Sequence, residues 1–229
     1  MQVYRRLLLF FVSLALATLA YAEPKTPHQK VDGITQQLID LIVEAKTYFD
    51  EDPDRYYQGV EKLLDPLIDF PSFTRSVMGD YGTRDYYQSL ADEPARQAFR
   101  DNYARFVKTF KTGLIHTYAK GLLAFNGQEI VVLPPSPEEL ALIRQGEPVD
   151  VSQRISSNGE SYLLVYKMRP DKHGEWFLRN VLIDSVNVGQ LYRNQFAAAM
   201  DKYQQDFALV IDNWVEDARA ADEQVKEQW

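Results

Sequence analysis

Residues 160–183 read ESYLLVYKMRPDKHGEWFLRNVLI. In an extended chain successive side chains point to opposite faces. Tyr162, Leu164, Tyr166 and Met168 therefore share one face, and Leu163, Val165 and Lys167 the other. Asp171-Lys172-His173-Gly174 turns the chain, and Glu175–Ile183 returns as a second strand. There Trp176, Leu178 and Leu182 alternate with Phe177, Val181 and Ile183. Two strands joined by so short a turn are antiparallel neighbours. Neither face is cleanly polar, as a wet face would be. Either helices cover both faces, or the surplus apolar residues line a cavity.

The strand pattern extends upstream. Ser157-Asn158-Gly159 is a hairpin turn signal. It follows a strand over Pro148–Ser156, and another runs over Gln128–Leu133 before Pro134-Pro135. The spacing predicts four strands in an antiparallel meander.

What precedes them is helical. Glu93-Pro94 opens a helix that runs to about Ala124. Phe99, Tyr103, Phe106, Phe110, Leu114, Thr117 and Gly121 fall on one stripe of it. Taken alone, that stripe reads as core packing. After a loose tail over Glu23–Gly33, Ile34, Leu38, Leu41, Ala45 and Tyr48 mark a first helix with Asp32 as N-cap. A second runs from about Arg55 to Leu64 behind the acidic caps of residues 50–54. Short helices follow over Ser72–Met78 and Tyr86–Leu90, separated by a turn at Gly79 and Gly82. Beyond the strands, Leu191, Phe196, Met200, Tyr203, Phe207, Val210 and Trp214 predict one last amphipathic helix, Gly189 to about Ala220. Helices, then strands, then a helix imply an α+β fold: an antiparallel four-stranded sheet covered by helices, shaped like a cone that can hold a cavity.

The N-terminus reads as an address. Arg5-Arg6 precedes the apolar run Leu7–Ala20, and Ala20-Tyr21-Ala22 is a small-x-small cleavage site. The run is shorter than the ~20 residues of a membrane span. Residues 1–22 are therefore expected to be a cleaved signal peptide, leaving one soluble, exported domain over 23–229. That mature chain carries 23 basic and 33 acidic residues, a net charge of −10. So acidic a chain is a poor binder of nucleic acid or of an anionic membrane surface. Residues 96–193, with a net of +3, are the relatively basic part.

The chain has no cysteine, which excludes disulfides, thiolate metal sites and thiol catalysis. His28, His116 and His173 are far apart and form no metal-spaced pair. There is no Gly-x-Ser-x-Gly, Walker loop, Gly-x-Gly-x-x-Gly or His-Glu-x-x-His. His116, inside the long helix, lacks an evident orienting carboxylate. Asn180 and Asp184 are the polar groups on or near the last strand that a catalytic reading would use. What remains is apolar capacity, including 12 Phe and 14 Tyr.

Three stretches resemble the MlaC family, the toluene-tolerance (Ttg-type) auxiliary proteins of the periplasm. The first is Val77-Met78-Gly79-Asp80-Tyr81. The second is the helix Ala95–Tyr118, with Phe99, Phe106 and Tyr118 at family-like spacing. The third runs from Trp176 through Asp184 to Phe196. Together they span nearly all of residues 30–215. The chain departs at Asp184-Ser185-Val186-Asn187, where Glu-Gly-Val-Ser is commoner, and at Asn180, where an Asp is usual.

The resemblance implies an NTF2-like α+β fold enclosing an apolar lipid cavity, with no enzymatic activity and no cofactor. The cargo it implies is a phospholipid, with acyl chains held between sheet and helices. A monomeric carrier of this kind shuttles lipid between an outer-membrane lipoprotein complex and an inner-membrane ABC transporter with an MCE subunit, maintaining outer-membrane lipid asymmetry. Spacing and resemblance together nominate Phe99, Tyr103, Phe106, Phe110, Tyr162, Leu164, Tyr166, Leu178, Leu182 and Val186 as lipid-binding. Two other readings stay open. One is an NTF2-like isomerase or dehydratase built on Tyr166 and Asp184. The other is a periplasmic interaction module whose aromatic stripe is only core.

Overall fold

The computed structural model describes residues 25–157 and 159–226. The expected signal peptide and Asn158 of the hairpin signal lie outside them. Most helices start at a capping side chain followed within two residues by proline, which is pre-shaped for the first turn. Thr26 caps α1 (Pro27–Ala45) in a reciprocal box with Gln29. Asp52 caps α2 (Pro53–Leu64) and Asp69 caps α3 (Phe70–Val77). A 3-10 turn over Gly79–Gly82 leads to α4 (Arg84–Ser89). Asp92 then caps the thirty-residue α5 (Glu93–Leu122).

The sheet follows: β1 (Glu129–Val132), α6 (Pro137–Gln145), β2 (Val149–Ser157), β3 (Glu160–Pro170), β4 (Trp176–Ile183) and β5 (Val186–Asn187). Its order is β1-β2-β3-β4-β5, antiparallel throughout. Helices α7 (Val188–Lys202) and α8 (Phe207–Lys226) complete the chain.

The α+β class and the meander stand as the sequence predicts, and four details change. First, the expected tail is helical from Pro27, because Thr26 and Gln29 cap each other. That places Val31 in the core at 2% exposure. Second, the sheet has five strands rather than four. Asp184 and Ser185 turn back at φ 45° and 74°, and β5 pairs through Ile183–Val186 and Leu182–Asn187. Third, α6 interrupts β1 and β2. Ser136-Pro137-Glu138-Glu139 forms its capping box, and Gly146 ends it in the left-handed conformation at φ 70°.

Fourth, the last helix is two. Gln204 and Gln205 take φ 53° and 67°, the Gln205 N–H bonds the Met200 carbonyl at 2.7 Å, and Asp206 caps α8. A straight helix would carry Phe207 and Trp214 away from α5. Folding back places Phe196, Phe207 and Trp214 around the Phe106 ring at centroid distances of 5.3, 5.8 and 5.0 Å.

The parity of β4 is reset by a β-bulge. Lys167 pairs with Asn180 and Met168 with Leu178, so Arg179 is the extra residue. Leu178 on one side of it and Val181 and Ile183 on the other thus come to share a face, while Leu182 turns away. The bulge is anchored from outside the sheet. The Leu178 N–H donates to the Leu67 carbonyl at 2.8 Å, Ile68 bridges to Leu178, and Arg179 pairs with Asp69. Asp69 also accepts from the Ser72 N–H at 3.0 Å and the Ser72 hydroxyl at 2.7 Å.

Helices cover one face of the sheet. On the other, Leu163 is 44% exposed. The buried residues form three apolar clusters. One is aromatic, joining α3, α5, α7 and α8 around Phe106, Phe110, Phe196 and Trp214. One joins α1 to β2, β3 and β4 through Val31, Ile34, Val151, Met168 and Leu178. The third joins α1, α2 and α5 through Ile42, Tyr56, Val60 and Ile115.

Two predictions follow from this geometry. Ser185 holds a left-handed conformation that costs an L-residue about 1 kcal/mol. Ser185→Gly should therefore raise the urea midpoint by the equivalent of about 1 kcal/mol with an unchanged m-value. For Asp69, burial pushes the carboxyl up, but the two Ser72 bonds and Arg179 outweigh it and hold the group below its ordinary 3.8. A depressed folded value means the contribution is complete above 3.8 and is lost as pH falls through the lower folded value. Urea midpoints taken from pH 6 downward should show that acid loss in the wild type and a smaller one in Asp69→Asn.

Candidate functional site

The three clusters do not merge. Between them lies an apolar cleft with a volume of about 410 Å³, within the ~300–1,000 Å³ range of ligand pockets. All three clusters supply its walls. Helix α1 gives Val31, Ile34, Thr35 and Leu38. Val60 and Leu64 come from α2, and Phe70 and Phe73 from α3. The last turns of α5 give Leu114, Ile115, Tyr118, Ala119, Gly121 and Leu122. The sheet adds Leu164 and Tyr166 from β3 and Leu178, Val181 and Ile183 from β4. Leu67, Ile68 and Val188 complete the lining. None of these residues is charged. At the mouth, Tyr118 and Leu122 are each 38% exposed.

The few polar atoms in the walls are engaged. Gln153 on β2 is 3% exposed and points from the sheet towards α1. Its Nε2 donates to the Thr35 hydroxyl at 2.7 Å, and its Oε1 accepts from the Tyr166 hydroxyl at 2.7 Å. Burial pushes the Tyr166 phenol well above its ordinary 10, so it remains a protonated donor. Thr35 and Tyr166 thus present carbon to the cleft while their oxygens bond behind it.

The walls are tied at fixed points. The Tyr56 hydroxyl donates to the Ala119 carbonyl at 2.8 Å, joining α2 to α5. Burial pushes that phenol up to about 12. Lys30 donates to the Trp176 carbonyl at 2.6 Å and lies over the Phe177 ring at 4.7 Å, joining α1 to β4. Burial lowers its pKa, and Glu175 and Asp171 only partly offset that.

Of the ten nominated residues, the structure brings Leu164, Tyr166 and Leu178 to the cleft and places seven elsewhere. Phe106 and Phe110 are 0% exposed in the aromatic cluster. Phe99 and Tyr103 line a different concavity, and the Tyr103 hydroxyl bonds the Pro71 carbonyl at 2.6 Å. Tyr162 is 43% exposed beside Glu160, and Val186 is 50% exposed in the β4–β5 hairpin. Leu182 faces away because of the bulge at Arg179. The ring-rich half of α5 is core, and its aliphatic last turns face the cleft.

Sequence reasoning missed the helical wall from α1, α2 and α3. The Ile34–Leu38 spacing was a signal, but a stripe that meets a cleft and one that meets a core look alike. The turn departures also find their role. Asn180 Oδ1 accepts from the Gly189 N–H at 2.9 Å, and its Nδ2 donates to Asn187 at 2.8 Å. A carboxylate at position 180 could accept but not donate. The catalytic pair considered for Tyr166 and Asp184 is not assembled. Tyr166 bonds Gln153, while Asp184 accepts from the Leu163 N–H at 3.0 Å. His116 stacks on Tyr57 at 4.1 Å. Among the described residues no acidic or histidine cluster could hold a metal, and no helix is long and apolar enough to cross a membrane.

Comparison with known proteins bears on this arrangement. A family model described as MlaC protein matches residues 32–216. The toluene tolerance protein Ttg2D of Pseudomonas putida is 30% identical over 211 residues, covering 92% of this chain and 88% of the relative. The solved structure of a phospholipid-binding protein from Ralstonia solanacearum, in complex with a phospholipid, superposes with a TM-score of 0.66 at 19% identity. That match covers 86% of this chain and 99% of the other. Since the family match runs from α1 through the first turns of α8 and takes in every wall of the cleft, the chain belongs to the MlaC family.

Proposed function

We propose that this chain is a periplasmic phospholipid carrier that holds acyl chains in the cleft and leaves the headgroup at the mouth. The observation that carries the reading is a cleft with no charged side chain in its walls, in which the Thr35 and Tyr166 oxygens are hydrogen-bonded to Gln153. An acyl chain of ~15 methylenes gains about 12 kcal/mol on leaving water, at roughly 0.8 kcal/mol per CH₂. A carrier must match that with an equally apolar interior, after which transfer from a membrane is close to neutral. Binding and release need no covalent step. Partners and an upstream energy source then set the direction.

Family membership supports the finer reading. A monomer would exchange lipid with an outer-membrane lipoprotein complex at one end of its path and an inner-membrane MCE/ABC transporter at the other, maintaining outer-membrane asymmetry. The name of the Pseudomonas putida relative, a toluene tolerance protein, agrees with such a role in the envelope barrier. Leu164, Tyr166 and Leu178 are the nominated residues we assign to lipid contact, together with Ile34, Leu38, Ile115, Val181 and Ile183.

Native mass spectrometry of the exported protein, followed by organic extraction, tests the proposal. The expected result is an added mass equal to one or more phospholipids. A clean apo mass with no uptake from liposomes overturns it. Placement in the cleft is tested by a pair of substitutions on neighbouring strands. Leu164→Glu puts a charge into the apolar wall and should abolish lipid retention in folded protein. Leu182→Glu, on the opposite face, should retain it.

A further inference from the structure

A second concavity, of about 380 Å³, lies on the helical side of the molecule and shares no lining residue with the cleft. Arg75 from α3, Arg84 from α4 and Arg100 from α5 converge on it. No carboxylate lines it. Arg100 pairs with Glu93 at 2.6 Å and bonds the Tyr87 hydroxyl. Arg75 and Arg84 have no ion pair among the described residues. Arg75 lies instead over the Tyr103 ring, 5.3 Å from its centroid. Its guanidinium also interacts with the Tyr103 hydroxyl, which fixes its position and leaves the rest of its five N–H donors for an anion.

The local fold presses these groups together. A Cβ at Gly82 would sit 2.1 Å from the Arg75 carbonyl oxygen, so the turn before α4 lies directly on the end of α3. The Thr83 hydroxyl is already used, donating to the Asp80 carbonyl at 2.7 Å and accepting from the Tyr86 N–H at 3.1 Å. The side-chain groups left to meet a ligand are therefore cationic edges and aromatic faces.

We propose that this pocket is a second ligand site, for a phosphate ester. Two unpaired guanidiniums call for a ligand with more than one negative charge and several acceptor oxygens. A phosphomonoester supplies about two charges and three oxygens, whereas a carboxylate supplies one and two. The phosphate takes forked hydrogen bonds from Arg75 and Arg84, and its carbon body lies against Phe99 and Tyr87. The ester is either a free small molecule or the headgroup of a lipid in a surface.

Amide NMR of the exported chain tests this with two probes: sn-glycerol 3-phosphate, and vesicles containing phosphatidic acid, a lipid phosphomonoester, compared with vesicles of phosphatidylcholine alone. Saturable shifts at Gly82, Thr83 and Arg84 with glycerol phosphate support a soluble ester. A response confined to the phosphatidic acid vesicles supports a lipid headgroup. In either arm Arg75→Gln/Arg84→Gln should weaken binding about tenfold or more, with the lipid mass bound in the cleft unchanged. No saturable response to either probe, or one undiminished in that variant, overturns the proposal. If the double variant does not fold, the wild-type titrations alone decide.

Discussion

The β-bulge at Arg179 is the constraint on which the cleft depends. An unbroken β4 would put Leu178 and Leu182 on one face and Val181 and Ile183 on the other. One extra residue brings Leu178, Val181 and Ile183 to the same side, opposite Leu164, Tyr166 and Met168 of β3. A bulge leaves backbone groups without ladder partners, and here the chain between α2 and α3 supplies one. Leu67 accepts from the Leu178 N–H, and Asp69 pairs with Arg179 while capping α3. The same contacts seat α3 against the sheet and thereby bring Phe70 and Phe73 into the wall. A single irregularity thus sets which side chains face the cleft and how far the helical wall stands from the sheet.

The cleft exists because three well-packed clusters are kept apart. The aromatic one is dense, with Phe106 meeting Phe110, Phe196, Phe207 and Trp214 at 5.0–5.9 Å. Most of its burial is ring against ring, and only its margin, through Phe73 and Val188, reaches the cleft. The apolar lining of an open space forgoes dispersion contacts that a close-packed core would make. A lipid that fills the space restores them and stabilises the folded state by mass action. Stability and cargo capacity are accordingly divided along α5, whose first half is core and whose last turns are wall.

This division explains where residue-level reading stops. Phe99, Tyr103, Phe106, Phe110 and the aliphatic positions after them form one continuous stripe, and helical periodicity reports only that the stripe is buried. Whether its partner is Trp214 or empty space depends on α8 folding back at Gln204-Gln205, through non-glycine left-handed residues that carry no strong signal. Leu182 faces away from the cleft for a related reason. Period-two alternation holds until a bulge interrupts it, and Arg179 looks like any other strand residue. By contrast, the capping boxes at Thr26–Gln29 and Ser136–Glu139 are local signals present in the sequence, each followed by a proline at the first helical position.

The α+β class, the first four strands of the antiparallel meander, the limits of the long helix α5 and the lack of familiar catalytic motifs were determined by the sequence alone. Each rests on local chemistry: side-chain period, capping residues, turn residues and the inventory of reactive groups. The apolar surplus on both faces of β3 and β4 likewise announced a cavity or a second covering layer. Only the tertiary structure decided between them, and it decided which residues of each apolar stripe face the open space. That choice depends on contacts between segments more than a hundred residues apart, such as Asp69 with Arg179 and Thr35 with Gln153. A sequence records the polarity of each position. Where two apolar surfaces touch and where they stand apart is a property of the assembled chain.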